Sequence, residues 1–199
     1  LVKKFDEAHA EQEKALKLFK LTKDNYGIAR TYNDMAVTYQ FADRLNDALK
    51  YHKKALELRK KLGDPNAISI SYNYIALIYR TMGKPKQALE AVKEGIPYAL
   101  KFGNNMFLMD AYMETGDIYM DLKEFKEAIS YYNLTLNVAK KNNSEKYQAM
   151  SLMQIGAAEN SRGNTKKAIE FLKKAEQIVS KNDYAVRQNI YMKLTAIYV

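Results

Sequence analysis

Small residues return along the chain at a fixed interval of 40 positions. Ala8, Ala48, Ala88, Ala128 and Ala168 share one register; Ala15, Ala55, Gly95, Thr135 and Ala175 share another, seven residues on. Upstream, Tyr32, Tyr72, Tyr112 and Leu152 align, as do Tyr39, Tyr79 and Tyr119. Between them run Met35, Ile75, Thr115 and Ile155, each followed by a small residue: Ala36, Ala76, Gly116 and Gly156. After a one-residue deletion the pattern comes back as Tyr191, Leu194, Thr195 and Tyr198. Self-similarity at this period marks a repeat architecture, in which each unit buries its apolar face only by stacking on its neighbours.

Inside a unit the spacing is helical. Tyr32, Met35, Ala36 and Tyr39 stand at i, i+3, i+4 and i+7, one face of a 3.6-residue helix. Leu45, Ala48, Leu49, Ala55, Leu56 and Leu58 repeat the pattern in a second helix. Asp43-Arg44, Gly83-Lys84-Pro85 and Gly163-Asn164 read as the turns between, with Pro85 in a first helical turn where its missing N–H is no loss. Gly63, Gly103 and Asn143 are the residue types that accept a left-handed C-cap. Lys60, Lys61, Lys101, Lys140 and Lys141 sit in the preceding turns, where cations complement the helix dipole. The unit is thus predicted as helix–turn–helix, about 14 plus about 18 residues.

The chain then divides as one solenoid over 1–199. Residues 5–22 match a second helix, 30–69, 70–109, 110–149 and 150–189 are full units, and 190–199 match a first helix, making ten helices in a curved stack. The pattern stops on Leu194, Ile197, Tyr198 and Val199, an apolar surface facing no neighbour, and it opens on Leu1 rather than Met. A native protein longer at both ends is the expectation. Pro97 removes the helical bond to Lys93, so a kink is expected in the second helix of the second unit.

At these positions the chain resembles the tetratricopeptide repeat, whose motif runs aromatic, Leu-Gly three residues on, then Tyr, and later Ala, an aromatic or apolar residue, and Ala. It reads Tyr32-Met35-Ala36-Tyr39-Ala48-His52-Ala55 and Tyr112-Thr115-Gly116-Tyr119-Ala128-Tyr132-Thr135. The second helix exceeds that of the usual unit, of about 34 residues, by about six. This longer form is similar to the repeats of kinesin light chain, of the Leu-Gly-Asn-repeat spindle adaptor and of bacterial peptide-sensing and two-component regulators. The resemblance implies an all-α solenoid, a right-handed superhelix of antiparallel helix pairs whose first helices line a concave groove for a protein or peptide. Glu159 stands where the motif has Tyr, and Thr165 where it has an apolar residue, so a loosely packed fourth unit is expected.

Composition narrows the chemistry. With no Cys among 199 residues, disulfides, thiolate metal sites and a cysteine nucleophile are excluded. No stretch reaches the ~20 apolar residues that span a bilayer. The net charge of +9 comes from Lys on second helices and loops, such as Lys53-Lys54 and Lys173-Lys174, and reads as a solvated convex face. Neither nucleic acid nor membrane is expected as a partner. His9 and His52 fall in different repeats, and His52 takes the apolar slot held elsewhere by Val92, Tyr132 and Leu172, so it is expected to pack. No phosphate loop or nucleophile elbow is present, and neither a catalytic role nor a cofactor is expected. The low-Arg, Lys/Asn/Ile/Tyr-rich composition points to an AT-rich bacterial genome, and the cytoplasm is the favoured compartment.

If the first helices line a groove, the positions at −2, +1, +5, +8 and +9 from Tyr32 and its equivalents face it. They comprise Arg30, Asn33, Val37, Gln40 and Phe41, then Ile70, Asn73, Leu77, Arg80 and Thr81. The third unit gives Asp110, Met113, Asp117, Met120 and Asp121, and the fourth Met150, Met153, Ala157, Asn160 and Ser161. Asn33 and Asn73 are equivalent amides that could clamp an extended peptide backbone, as peptide-binding members of the family do; the alternative is an amide merely tolerated at an exposed site. Asp110, Glu114, Asp117 and Asp121 form one acidic stripe suited to a basic ligand segment, with Met113, Met120, Met150 and Met153 as an adaptable apolar floor. The alternative there is a solvated face reached by lysines from elsewhere. The expected function is a non-catalytic binding module of a larger regulatory protein. An input region of a histidine kinase or transcription regulator, and a scaffold that self-associates through its uncapped ends, are the other readings.

Overall fold

The computed structural model describes residues 2–180 and 183–198; the expectations for Leu1 and Val199 lie outside them. Among the described residues the chain forms ten α-helices: α1 Val2–Leu21, α2 Asn25–Phe41, α3 Leu45–Leu62, α4 Pro65–Thr81, α5 Pro85–Phe102, α6 Asn105–Asp121, α7 Phe125–Lys141, α8 Glu145–Ser161, α9 Thr165–Ile178 and α10 Tyr184–Tyr198. They fall into two compact units, one holding α1–α5 and the other α6–α10.

In each unit every helix packs on the one before it: α1 to α5 in sequence in the first, α6 to α10 in the second. Turns of three residues reverse the chain inside each pair α2–α3, α4–α5, α6–α7 and α8–α9. The four first helices of these pairs run 17 residues, longer than the pattern predicts. Capping sets their start. The Asp24 carboxylate accepts from the Gly27 N–H at 2.9 Å and Asp64 does the same for Ala67 at 3.0 Å, so α2 and α4 begin upstream of their first aromatic.

The turns show a second period. Lys23, Asp43, Gly63, Gly83, Gly103, Lys123, Asn143 and Gly163 all have positive φ, between 52° and 83°, one every 20 residues. Each of α1 to α8 is therefore followed by a left-handed residue, although only half of these positions carry the glycine that favours it.

Close helix approach rests on the small positions. Ala36, Ala48, Ala55, Ala76, Ala88, Ala128, Ala168 and Ala175 are fully excluded from solvent. A Cβ on Gly116 would lie 2.4 Å from Cε1 of Tyr132, itself fully buried on the paired helix α7. Ala8 shares the register but is exposed.

The loose fourth pair does not materialise. Ile155, Ala158, Ala168, Leu172 and Ala175 are fully buried between α8 and α9. Glu159 is buried too, its carboxylate accepting from Arg162 Nη1 at 3.2 Å and Asn164 Nδ2 at 2.6 Å, so local donors replace the tyrosine of the motif. Thr165 takes an exposed position at the start of α9. In the first unit α5 runs through Pro97, with both Pro97 and Lys93 on its exposed side.

Candidate binding site

In the first unit the first-helix wall expected from the sequence comprises α2 and α4, which carry the two equivalent amides. Asn33 and Asn73 are half-buried, and the Oδ1 of each is withdrawn from solvent without a hydrogen-bond partner. An amide oxygen held dry and unpaired forfeits roughly 1–3 kcal/mol until something donates to it. Arg30 is exposed and only 4.0 Å from Asp34, a weak surface contact; Gln40 and Arg80 are half-buried, and Arg80 is engaged by neighbours.

Behind that wall lies a polar seam that the sequence pattern did not single out. Arg59 of α3 donates to Ser71 Oγ at 2.6 Å and to the Ala67 carbonyl at 3.2 Å. Burial lowers its pKa, opposed by Asp64, Tyr74 and Asp34. His52 stacks on Tyr74, centroids 4.9 Å apart, with neither ring nitrogen hydrogen-bonded. Burial, then the neighbouring Arg59 charge, pulls its pKa down to about 4, so it is neutral at pH 7. It packs in the slot where Val92, Tyr132 and Leu172 pack in other pairs, and all four are fully buried.

In the second unit the acidic stripe is wired to neutral donors. Tyr147 of α8 donates to Asp110 at 2.5 Å. Asp117 Oδ1 accepts from Tyr132 Oη of α7 at 2.7 Å and Gln154 Nε2 of α8 at 2.9 Å. Burial pushes the Asp110 carboxyl up, against the Tyr147 hydrogen bond and the Lys146 charge; burial and the bond to Asp110 together lift Tyr147 well above the ordinary phenol range. Asp121 is exposed, and Glu114 is half-buried.

The methionine floor is corrected. Met113 and Met153 are only 8% and 7% exposed and belong to the hydrophobic core of this unit with Tyr132, Ala149, Leu152 and Leu172. Met120 and Met150 pack against the same core. The +1 position lies where α6 and α8 touch, and a flexible apolar side chain there folds inward.

The donors missed from sequence share one signal. Asp110–Tyr147, Asp117–Gln154 and Asn105–Asn142 each join residues 37 apart. On α6 the partners on α8 therefore lie nearly one turn from the repeat-equivalent position, and those sought 40 residues away are the wrong ones. Among the described residues no three His, Asp or Glu side chains converge as metal ligands, and no helix is long and apolar enough to cross a membrane.

Helix pairs with small residues at the crossings, packed in sequence within each unit, define a helical-repeat fold. Residues 1–61, 27–101 and 107–181 match the tetratricopeptide-repeat family, and the chain belongs to it. No curated protein matches the chain. Among solved structures it is similar to the apo form of RapI, with TM-score 0.87 and 16% identity over 99% of this chain and 55% of that one. It is similar also to a Pyrococcus horikoshii signal-transduction ATPase with a tetratricopeptide-repeat sensor, with TM-score 0.83 and 21% identity over 98% of this chain and 31% of that one. BtubC (BKLC) from P. vanneervenii gives TM-score 0.79 and 17% identity over 88% of this chain and 73% of that one. The chain thus spans about half of RapI and a third of the ATPase.

Proposed function

We propose that this chain is a non-catalytic recognition module that holds an extended peptide or partner segment by its backbone, with Asn33 and Asn73 as the clamp. The observation that carries the reading is the pair of equivalent amides whose Oδ1 atoms are dry and unpaired. A peptide backbone offers an N–H donor at every residue other than proline, and each amide, once its side chain turns outward, can accept one and return an N–H of its own. Likeness to a protein whose repeats are described as a sensor supports placing the module in a regulatory protein, as an input region.

The test is a random-peptide display selection on the whole chain, followed by affinity measurements on Asn33→Ala, Asn73→Ala and the double variant. Each single change is expected to weaken the selected peptides about tenfold, the equivalent of one hydrogen bond. Selected peptides that bind the double variant as tightly as the parent contradict the clamp.

A second reading places a basic segment along α6. Its support is that four carboxylates, Asp110, Glu114, Asp117 and Asp121, lie along one stripe of α6, whose summed negative charge attracts a cation.

A further inference from the structure

Three lysines of α3 are seated on tyrosine rings rather than on carboxylates. Lys53 donates to the Tyr79 hydroxyl at 2.9 Å, its Nζ 5.4 Å from the ring centroid, and Lys60 Nζ lies 5.1 Å from the centroid of Tyr72. Both the lysines on α3 and the tyrosines on α4 are seven residues apart, so the contacts are two rungs about 10 Å apart between antiparallel helices. On the other flank Lys54 Nζ lies 5.4 Å from the centroid of Tyr32 and 4.9 Å from that of Tyr51. The rungs are particular to this place. In the register of Lys53, Lys60, Tyr72 and Tyr79 the second unit holds Asn133, Lys140, Leu152 and Glu159.

The seats leave the charge of α3 unneutralised. Lys53, Lys54, Lys60 and Lys61 stand four and three residues before Glu57 and three and four after it, the spacings at which a helix pairs lysine with glutamate. Among the described residues Glu57 nevertheless forms no ion pair, since three of those lysines are turned onto rings. Asp47, one turn before Lys50, is taken by Arg44 at 2.6 Å. Lys50, Lys53, Lys54, Lys60 and Lys61 are all exposed, so five ammonium groups share one face of α3 with a single free carboxylate. The first unit, residues 1–104, holds 19 Lys and Arg against 12 Asp and Glu, and so carries +7 of the net +9.

We propose that this face of α3 docks an acidic segment of a partner protein, with Lys53, Lys54 and Lys60 as preset cations. A ring seat fixes the long side chain before the partner arrives, and removes part of the rotamer entropy that an ordinary surface lysine gives up on binding. The ring takes one side of the ammonium and leaves N–H groups on the other for a carboxylate. A protein segment fits this face better than other polyanions. The rings lie under lysines and offer no free face for stacking a base, and Arg59, the one arginine of α3, is turned to Ser71 and the Ala67 carbonyl. None of the large apolar side chains of α3 is exposed, as insertion into a bilayer surface needs. The cations belong to α3 and the amides of the clamp to α2 and α4, so the two readings are tested apart.

Poly-L-glutamate is the probe, its affinity for the whole chain measured by calorimetry at low and at high salt. Lys53→Gln with Lys60→Gln is compared with Lys84→Gln with Lys86→Gln, which removes the same charge at exposed lysines outside α3; all four sites are exposed, so both variants keep the circular-dichroism spectrum of the parent. The α3 variant is expected to bind about tenfold more weakly at low salt with a flatter salt dependence, and the other to lose less than about twofold. Tyr79→Leu keeps every lysine but unseats Lys53, and is expected to cost about threefold. Equal losses in the two lysine variants mean that only net charge is felt, and overturn the proposal; so does unchanged affinity in Tyr79→Leu. A parent that binds poly(U) RNA or phosphatidylserine vesicles more tightly than polyglutamate overturns it too, since the face then reads phosphate.

Discussion

Tyr147 and Asp110 share a 2.5 Å hydrogen bond from α8 to α6, and it ties the third pair of helices to the fourth. The bond holds a half-buried carboxylate that also feels the charge of Lys146. Replacing Tyr147 with Phe removes the donor and leaves the carboxylate dry, which is expected to cost about 1–2 kcal/mol of stability in chemical denaturation. It also removes an influence that lowers the Asp110 pKa, so burial acts unopposed by it and the pKa rises further. With a folded pKa above the unfolded one, the Asp110 contribution to stability is fully present below the unfolded pKa and is lost as pH rises through the folded one. Carboxyl-carbon NMR titration of Asp110 in parent and variant checks the direction; a titration that moves downward in the variant contradicts the assignment.

His52 titrates the other way. Its folded pKa of about 4 lies below the ordinary 6.5, so the folded chain binds fewer protons than the unfolded one between those values. Stability is full above 6.5 and falls as pH drops toward 4, by about 3 kcal/mol from this residue. His52→Phe keeps the stack on Tyr74, removes both unpaired nitrogens and is expected to flatten that slope while raising stability at pH 5. Unfolding curves with the same pH slope in both proteins contradict the account.

Lys123 is left-handed at φ 60° where four other turns use glycine. Lys123→Gly relieves that strain and is expected to raise stability by about 1 kcal/mol, read as a higher melting temperature; Gly103→Lys is expected to lower it by a similar amount. Equal melting temperatures mean the turn is not strained.

Asp110, Asp117 and Asp121 changed together to Asn test the basic-ligand reading. Affinity for selected basic peptides is expected to fall several-fold at low salt, and its dependence on salt to flatten. Unchanged affinity and slope remove that reading and leave the asparagine clamp untouched.

Helix identity and pairing were legible in the sequence because the repeat displays the same small positions at every crossing: Ala48, Ala88, Ala128 and Ala168 are all fully buried. What escaped depends on how helices sit against each other across a repeat boundary. Asp110 finds Tyr147 rather than its repeat equivalent Met150, because the neighbouring helix slides by nearly a turn, an offset that no one-dimensional register contains. Met113 and Met153 share the motif position of Asn33 and Asn73, yet they are buried while the amides stay half-out. There the chemistry of the side chain decides: methionine gains by folding into the core, whereas full burial of an amide would strip its Nδ2 donors of water as well. Glu159 shows the reverse case, a motif violation made stable by Arg162 and Asn164, only three and five residues on.

The most direct measurement is a two-dimensional NMR titration of the side-chain amides with a peptide selected on the intact chain. The account predicts that the Asn33 and Asn73 side-chain resonances shift together at the lowest peptide additions, with a common saturation curve. Shifts that leave both untouched while moving residues of the lysine-rich second helices contradict it.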